Sequence, residues 1–312
     1  MNRGQMPARG TDAGWEEDGK KKILVTGAGG FIGSALTAYL RERGVSVLGP
    51  GSGALDVTDP AAVDGLPACD LRHIVHLAGK TFVPKSWEEP GDFLRTNMLG
   101  TLHMLELCRK WEISMTYISA YIYGRPERIP IRETDRINPN NPYAKSKYMA
   151  EELCRFYAEQ YGVRVSVIRP FNVYGAGQRK DFLIPQIISQ AMHEDAVRVM
   201  DLMPGRDYIY LDDLLEAIWL TVEHVQDYDV FNIGLGVSYT VEEVIDTVQR
   251  LLGTRRPVVC KNKARRNELD NVVADISHAR EVLGWQPTHT LEEGLGKMIA
   301  RMQETDERKE CP

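Results

Sequence analysis

Residues 23–33 read ILVTGAGGFIG. The apolar run Ile23-Leu24-Val25 ends at Thr26-Gly27, and a helical pattern then runs from Phe31 to about Arg43. Gly27, Gly30 and Gly33 are spaced G-x-x-G-x-x-G; the G-x-G-x-x-G spacing fails because Ile32 stands at its last glycine position. Both spacings answer the same physical demand. A tight turn leaves the strand, the backbone must come close to a pyrophosphate, and the helix must pack near the sheet. The amides at the start of that helix, at Phe31, Ile32 and Gly33, then face the phosphates with the helix dipole assisting. A strand before and an amphipathic helix after set this turn apart from an ordinary glycine turn.

Working outward, apolar runs at 45–48, 73–77, 115–119 and 165–168 alternate with helical patterns, the longest at about 91–111 and 143–161. Strands alternating with helices of ten or more residues predict a parallel sheet covered on both faces. Right-handed crossovers make it a Rossmann-type, doubly wound α/β fold. The dinucleotide-binding domain is expected over 21–170. After Pro170 the rhythm changes: loops lengthen, and prolines and basic residues interrupt the pattern. A smaller C-terminal substrate lobe is expected over 171–302, interleaved with the sheet through a returning strand at 230–233. Residues 1–20 are polar and Gly-rich and predict a disordered arm; 303–312 predict a frayed tail.

The 312 residues suffice for a large core, and 43% hydrophobic with 26% charged residues is ordinary for a globular protein. A net charge of −6 gives no overall basic field for nucleic acid or an anionic membrane. Five scattered cysteines without C-x-x-C argue against a disulfide framework and a zinc site. His73 and His76 sit in an apolar run and are expected to be structural, with no metal. No apolar run reaches the length of a membrane helix, and the N-terminus lacks the apolar block of a signal peptide. A cytoplasmic location is the expectation.

Two further features bear on a site. The second strand ends in Leu48-Gly49-Pro50-Gly51-Ser52, with no carboxylate for an adenosine ribose and no Arg for a 2′-phosphate. NADP is permitted there and NAD remains open. Asp56-Val57 is either an adenine contact or a helix cap. In PYAKSK at 142–147, Tyr143 and Lys147 lie one helical turn apart just after a proline. Alone, the pair reads as a solvated helix face before anything else.

With TGAGGFIG, HLAG, YISAYIYG, PYAKSK, RPFNVYGAGQ, RDYIYLDDL and LGWQP in order from about Lys22 to about Met302, the chain resembles the extended short-chain dehydrogenase/reductase family. This family comprises nucleotide-sugar epimerases, dehydratases and 4-ketoreductases. The resemblance implies Tyr143 as general acid/base and Lys147 as the residue that lowers its pKa and holds the nicotinamide ribose. It implies Ser119, at a strand end, as the hydroxyl that binds the sugar oxygen. A fixed ammonium near a phenol favours the phenolate, which fits this assignment. Leu77, Ala78 and Gly79 resemble the turn passing beneath the cofactor. Lys80 is a phosphate or substrate contact or a surface lysine, and Asn97 braces this turn or is solvated. Pro170 and Val173 would lie beside the nicotinamide. Ala120, Tyr121 and Asn172 would contact substrate, and Arg206 and Arg266 would grip its diphosphate. Asp212 and Asp213 are expected to cap a helix at 214–221.

Dehydratases of the family carry Asp-Glu after the catalytic hydroxyl; here Ala120-Tyr121 follows Ser119, which argues against dehydration. The short LDVTD loop, HLAGKTFVPKSWEEP, RPFNVYGAGQ and DLMPGRDY resemble segments of GDP-4-keto-6-deoxymannose reductases. The expected reaction is therefore reduction of C4 of an NDP-4-keto-6-deoxy sugar with NAD or NADP, NADPH being favoured for a reductase. A 4-epimerase with retained NAD is the alternative, and a redox-sensing dinucleotide binder is a third. The resemblance also implies a homodimer built as a four-helix bundle from the helices at 91–111 and 143–161.

Overall fold

The computed structural model describes residues 21–263 and 269–310. Strand β1 (Lys22–Thr26) leads through the glycine turn into helix α1 (Phe31–Glu42) and the two-residue strand β2 (Val47–Leu48). A short helix α2 (Pro60–Asp64) precedes β3 (Leu71–His76). Helices α3 (Val83–Glu88) and α4 (Pro90–Leu94) and a π turn (Arg95–Leu99) run into α5 (Gly100–Trp111). Then come β4 (Ser114–Ile118), α6 (Pro142–Tyr161) and β5 (Val165–Pro170). Beyond it lie β6 (Asn172–Tyr174), α7 (Leu183–His193), β7 (Val197–Val199), β8 (Gly205–Tyr210), α8 (Leu211–Glu223) and β9 (Tyr228–Ile233). The chain closes with β10 (Ser238–Thr240), α9 (Val241–Leu252), β11 (Val258–Cys260), α10 (Ser277–Leu283) and α11 (Leu291–Glu310).

The main sheet has the order β2-β1-β3-β4-β5-β9, and every pairing is parallel. This is the doubly wound α/β fold expected from the alternation. Its strands are apolar without alternation because both faces are covered. Ile23, Leu24 and Val25 are fully buried, each such side chain contributing about 1.5–3 kcal/mol. Helices α1 and α8 pack on one face, α5 and α6 on the other. The strand order reverses between β1 and β3, so their carboxyl ends open the crevice where such sheets take ligands. A third core joins α7, α9 and α11 to β7 and β8, beside the small sheet β10-β8-β6.

Helix α6 shows how sequence sets an element. Asn141 accepts a hydrogen bond from Ala144 N at 2.8 Å, Pro142 occupies the first turn, and Gly162 ends the helix in the left-handed region. Ala144, Lys147, Ala150, Glu151, Cys154 and Tyr157 form its buried face at helical spacing.

Several boundaries differ from the sequence reading. The second strand keeps only Val47 and Leu48. The helix expected at 91–111 is broken by the π turn. Residues 303–310 continue α11, where a frayed tail is expected. Helix α8 starts at Leu211, so Asp212 and Asp213 lie in its first turn and do not cap it. Asp213 is buried instead, accepting hydrogen bonds from Thr288 N (3.0 Å), Thr288 Oγ1 (2.7 Å) and His289 N (3.2 Å). That carboxylate fastens the LGWQP segment, whose Trp285 Nε1 also donates to Asp213 O at 3.0 Å. The expected arm at 1–20 lies outside the described residues. No described helix is long and apolar enough to cross a membrane, and no group of three metal-binding side chains occurs among the described residues.

His73 and His76 are buried on β3. The ring nitrogens of His73 lie 2.8 Å from Ser114 Oγ and 2.9 Å from Thr116 Oγ1. Burial lowers both imidazoles from 6.5 to about 3. The unfolded chain therefore binds more protons as pH falls below 6.5, so stability is full above 6.5 and is lost towards 3. At pH 5 each histidine should remove about 2 kcal/mol. Urea unfolding of wild type and His73→Gln at pH 7 and pH 5 checks this: the variant should lose less on acidification, and equal losses would refute it.

Candidate active site

The site begins where two turns touch. Gly27 has φ +71°, and a Cβ there would lie 2.8 Å from Ala78 N. A Cβ at Gly33 would lie 2.1 Å from Gly27 O. Only hydrogen fits at these positions, so the turn after β1 lies against the turn after β3 and the start of α1. Thr26 Oγ1 accepts from Ala78 N at 3.1 Å and lies 2.7 Å from His76 Nδ1. The cap of α1 is Gly30, which has no capping side chain, so the first amides of the helix face open space suited to an anion.

From this cradle, contacts lead to α6. Gly79 packs under Asn97, whose Oδ1 accepts from Lys80 N at 2.8 Å. Asn97 Nδ2 donates to Lys80 O at 3.0 Å and to Ser146 Oγ at 2.8 Å. Ser146 Oγ in turn donates to Tyr143 O at 2.7 Å. The side chain in the π turn thus ties the turn after β3 to the first turn of α6. Phe93 meets the Tyr143 ring edge-on at 6.4 Å. Ala120, Ile122 and Ala144 form a small buried cluster against which Tyr143 packs. Lys147 Nζ sits 4.3 Å from the centroid of the Tyr117 ring, two residues before Ser119. Ser119 is held by its own amide, which donates to Ile168 O at 2.8 Å, while its buried Oγ has no partner. The Ser119 hydroxyl is thus one of several buried polar groups among the described residues with a bond to spare.

The sequence pattern of the NAD dependent epimerase/dehydratase family matches residues 23–234. The chain belongs to this family. It is 30% identical to the GDP-6-deoxy-D-mannose reductase of Pseudomonas aeruginosa over 294 residues, 90% of this chain and 96% of that protein. The structure of RMD from Pseudomonas aeruginosa complexed with NADPH superposes with a TM-score of 0.84 at 28% identity, covering 91% of this chain and 99% of that one. A UDP-glucose 4-epimerase from Thermotoga maritima, with UDP-glucose, superposes with a TM-score of 0.85 at 28% identity and the same coverage.

Other residues expected at the site of this family member have visible partners. Lys80 Nζ pairs with Asp92 Oδ2 at 2.8 Å, an exposed ion pair beside its own turn. Asp56 does not cap a helix: its carboxylate binds Thr58 N and Oγ1, both at 2.8 Å, and Asp59 caps α2. Val57 is buried against Gly100. Pro170 ends β5 opposite Ile233. Asn172 Nδ2 donates to Asp207 O at 3.0 Å, and Asn172 and Val173 pair with Tyr208 and Ile209 on β8. Tyr121 packs edge-on to Tyr123 and Phe171, with its hydroxyl on Gly124 O at 2.6 Å. Arg206 Nη1 donates to Gly205 O at 2.7 Å and Leu269 O at 2.8 Å. Arg266, with Arg265, lies outside the described residues. Thr26 and Ser146 are the supports that sequence reasoning missed. Ser146 was within reach of it, three residues after Tyr143.

The electrostatics also differ from expectation. Burial pushes the Tyr143 phenol up and lowers Lys147 from 10.5 to about 7. In the ligand-free chain, desolvation outweighs any pull of the ammonium on the phenol. The sign for Lys147 follows. Between pH 7 and 10.5 the unfolded chain binds more protons than the folded one, so stability rises with pH. This residue supplies up to about 1.4 kcal/mol per pH unit of that rise. Lys147→Met should be more stable than wild type at pH 7 and should lack the rise. Denaturant midpoints at pH 7, 8 and 9 measure both; a variant that is weaker at pH 7 and climbs as steeply counts against the argument.

Proposed function

We propose that this chain is an NAD(P)-dependent oxidoreductase of nucleotide-linked sugars that reduces the C4 carbonyl of an NDP-4-keto-6-deoxy sugar. The observation that carries the reading is the unpartnered, buried Ser119 hydroxyl on the sheet end it shares with Tyr143, Lys147 and the glycine cradle. The side-chain-free cradle and the uncapped start of α1 fit a dinucleotide pyrophosphate. The bound dinucleotide supplies the hydride. Ser119 Oγ donates to the carbonyl oxygen and orients it, and the Tyr143 phenol gives that oxygen its proton. Burial keeps the phenol protonated at neutral pH, the form that reduction requires. Lys147, beneath Tyr143 on the same helix face, holds the ribose. Arg206 and Asn172, adjacent on β8 and β6, lie on the lobe side where a sugar diphosphate would be bound.

The second reading is a 4-epimerase that retains NAD. The similarity to the Thermotoga maritima UDP-glucose 4-epimerase favours it. Cofactor bookkeeping separates the two. With a panel of nucleotide 4-keto sugars and NADH or NADPH, a reductase consumes nicotinamide absorbance; an epimerase interconverts sugars with none consumed. Tyr143→Phe should lower kcat by about 10²–10⁴-fold and keep cofactor affinity within about threefold. A variant that turns over at the wild-type rate would remove Tyr143 from the chemistry.

The partner surface we propose is the outer face of α5 and α6, where a second copy would complete a four-helix bundle. Trp111, Phe156 and Tyr161 are 45%, 49% and 53% exposed there, and Phe156, Tyr157 and Tyr161 form one aromatic cluster. Light scattering should give twice the 35.2 kDa chain mass. Phe156→Glu should shift it towards the mass of one chain, and a single-chain mass for wild type would end the proposal.

A further inference from the structure

Behind the site lies a buried charged network that the chemistry above does not use. Glu151 and Arg169 side chains are only 2% and 4% exposed. Arg169 Nε donates to both carboxylate oxygens of Glu151 at 3.1 Å, and Nη2 donates to Oε2 at 2.6 Å. Arg169 Nη1 donates to Tyr123 Oη at 2.8 Å and to Glu133 O at 3.0 Å. Tyr123 Oη donates to Asn232 Oδ1 at 2.6 Å. Asn232 Nδ2 reaches Ile131 O at 2.9 Å, and Asn232 N reaches Glu133 Oε1 at 2.8 Å. One guanidinium therefore joins α6, β5 and the long loop after β4, and through Tyr123 it reaches β9.

We infer that Glu151 and Arg169 are positioning residues, which set the helix bearing Tyr143 and Lys147 at a fixed height against the strand end bearing Ser119. The inference rests on the reading that these three groups act together. Glu151 lies one turn beyond Lys147 on the buried face of α6. Arg169 directly follows Ile168, whose carbonyl holds the Ser119 amide. Two consecutive residues of β5 thus grip the two halves of the site, one by its backbone and one by its side chain. A buried ion pair is a poor way to gain stability, since well-packed apolar residues of similar volume serve as well or better. A planar fork with bonds at both ends does what apolar packing does not: it fixes distance and direction. Glu151 is also the carboxylate that opposes the desolvation of Lys147.

The test uses the full chain with cofactor and the nucleotide sugar that wild type turns over. The variants are Tyr123→Phe, Glu151→Gln, Arg169→Lys and the double variant Glu151→Gln/Arg169→Met. Tyr123→Phe keeps its shape but leaves Asn232 Oδ1 and Arg169 Nη1 each one bond short, so it should stay folded with a modestly lower melting temperature. A misplacement of order 1 Å should lower its kcat by about tenfold to 10²-fold. KM and cofactor Kd, from nicotinamide fluorescence, should stay within about threefold of wild type. The double variant removes both charges, so its melting temperature should return to that of wild type while its kcat stays low. If kcat returns together with the melting temperature, or if folded Tyr123→Phe turns over like wild type, the network is only structural and the inference falls. If wild type interconverts epimers without consuming cofactor, the same comparisons are made on that turnover, so a failed reductase reading does not decide this one. Should wild type turn over neither kind of sugar, amide hydrogen exchange in the cofactor complex decides. Faster exchange at 119–123 and 144–147 in Tyr123→Phe supports positioning, and unchanged exchange overturns it.

Discussion

The contact between the turn after β1 and the turn after β3 is the constraint on which the rest depends. Where Gly27 lies against Ala78, two backbones approach more closely than any side chain permits. That approach sits at the point where the strand order reverses, so it opens the crevice and narrows its floor at once. It also fixes the turn at 77–80, and everything braced to that turn inherits its position. Asn97 holds the turn to Ser146, and Ser146 lies between Tyr143 and Lys147 on α6. On the proposed reading, the chemistry is located by a backbone contact more than sixty residues away in sequence from the helix that carries Tyr143. Loosening the glycine turn would move the phosphate cradle and the phenol together.

The second organising force is desolvation. The helix that carries Tyr143 and Lys147 turns them towards the sheet, where water is scarce. Burial raises the phenol and lowers the ammonium. Both shifts favour the neutral forms, so the ligand-free site stores less charge than its residue types suggest. Lys147 takes what attraction it has from the face of Tyr117 and from Glu151 one turn along. A site in this state is matched to a ligand that brings its own charges, a diphosphate at the glycine cradle above all. It is also matched to a reaction whose first demand on tyrosine is a proton given.

Much of this was legible in the sequence, and the parts that were not share a cause. Parallel strands buried on both faces appear as plain apolar runs, so β1, β3, β4 and β5 are visible without structure. The glycine turn is local and its spacing shows it, whereas the Tyr143–Lys147 pair stands out only with the ordered motifs around it. Residues whose roles depend on distant partners are different. Lys80 is basic and near the glycine turn, and its ion pair with Asp92, twelve positions on, is not encoded in either residue's neighbours. Asp213 reads as a helix cap because the helix begins beside it; its true partners are Thr288 and His289, some seventy-five positions on. The acids and bases of the 142–161 helix all look like a solvated face, though Glu151 is buried under Arg169. Charge type and local spacing do not encode which distant group will meet a side chain, whereas periodicity does encode which face is buried.

That division has a consequence for how one frame supports different reactions. RMD from Pseudomonas aeruginosa with NADPH and a UDP-glucose 4-epimerase from Thermotoga maritima superpose on this chain almost equally well. On the proposed reading, the backbone contact, the braces and the trio answer to demands that a reduction and an epimerisation share: hold a dinucleotide, orient one oxygen, move one proton. What differs is whether the cofactor leaves after hydride transfer and whether the sugar turns over in the pocket. The shared frame leaves those properties to be set elsewhere, and of the three packed rings Tyr121, Tyr123 and Phe171 only Tyr121 is not buried. Tyr121 is held by its own hydroxyl on Gly124 O and cannot swing aside without breaking that bond. A single bond of this kind is worth about 1 kcal/mol, so the ring two residues past Ser119 is steadied and not locked.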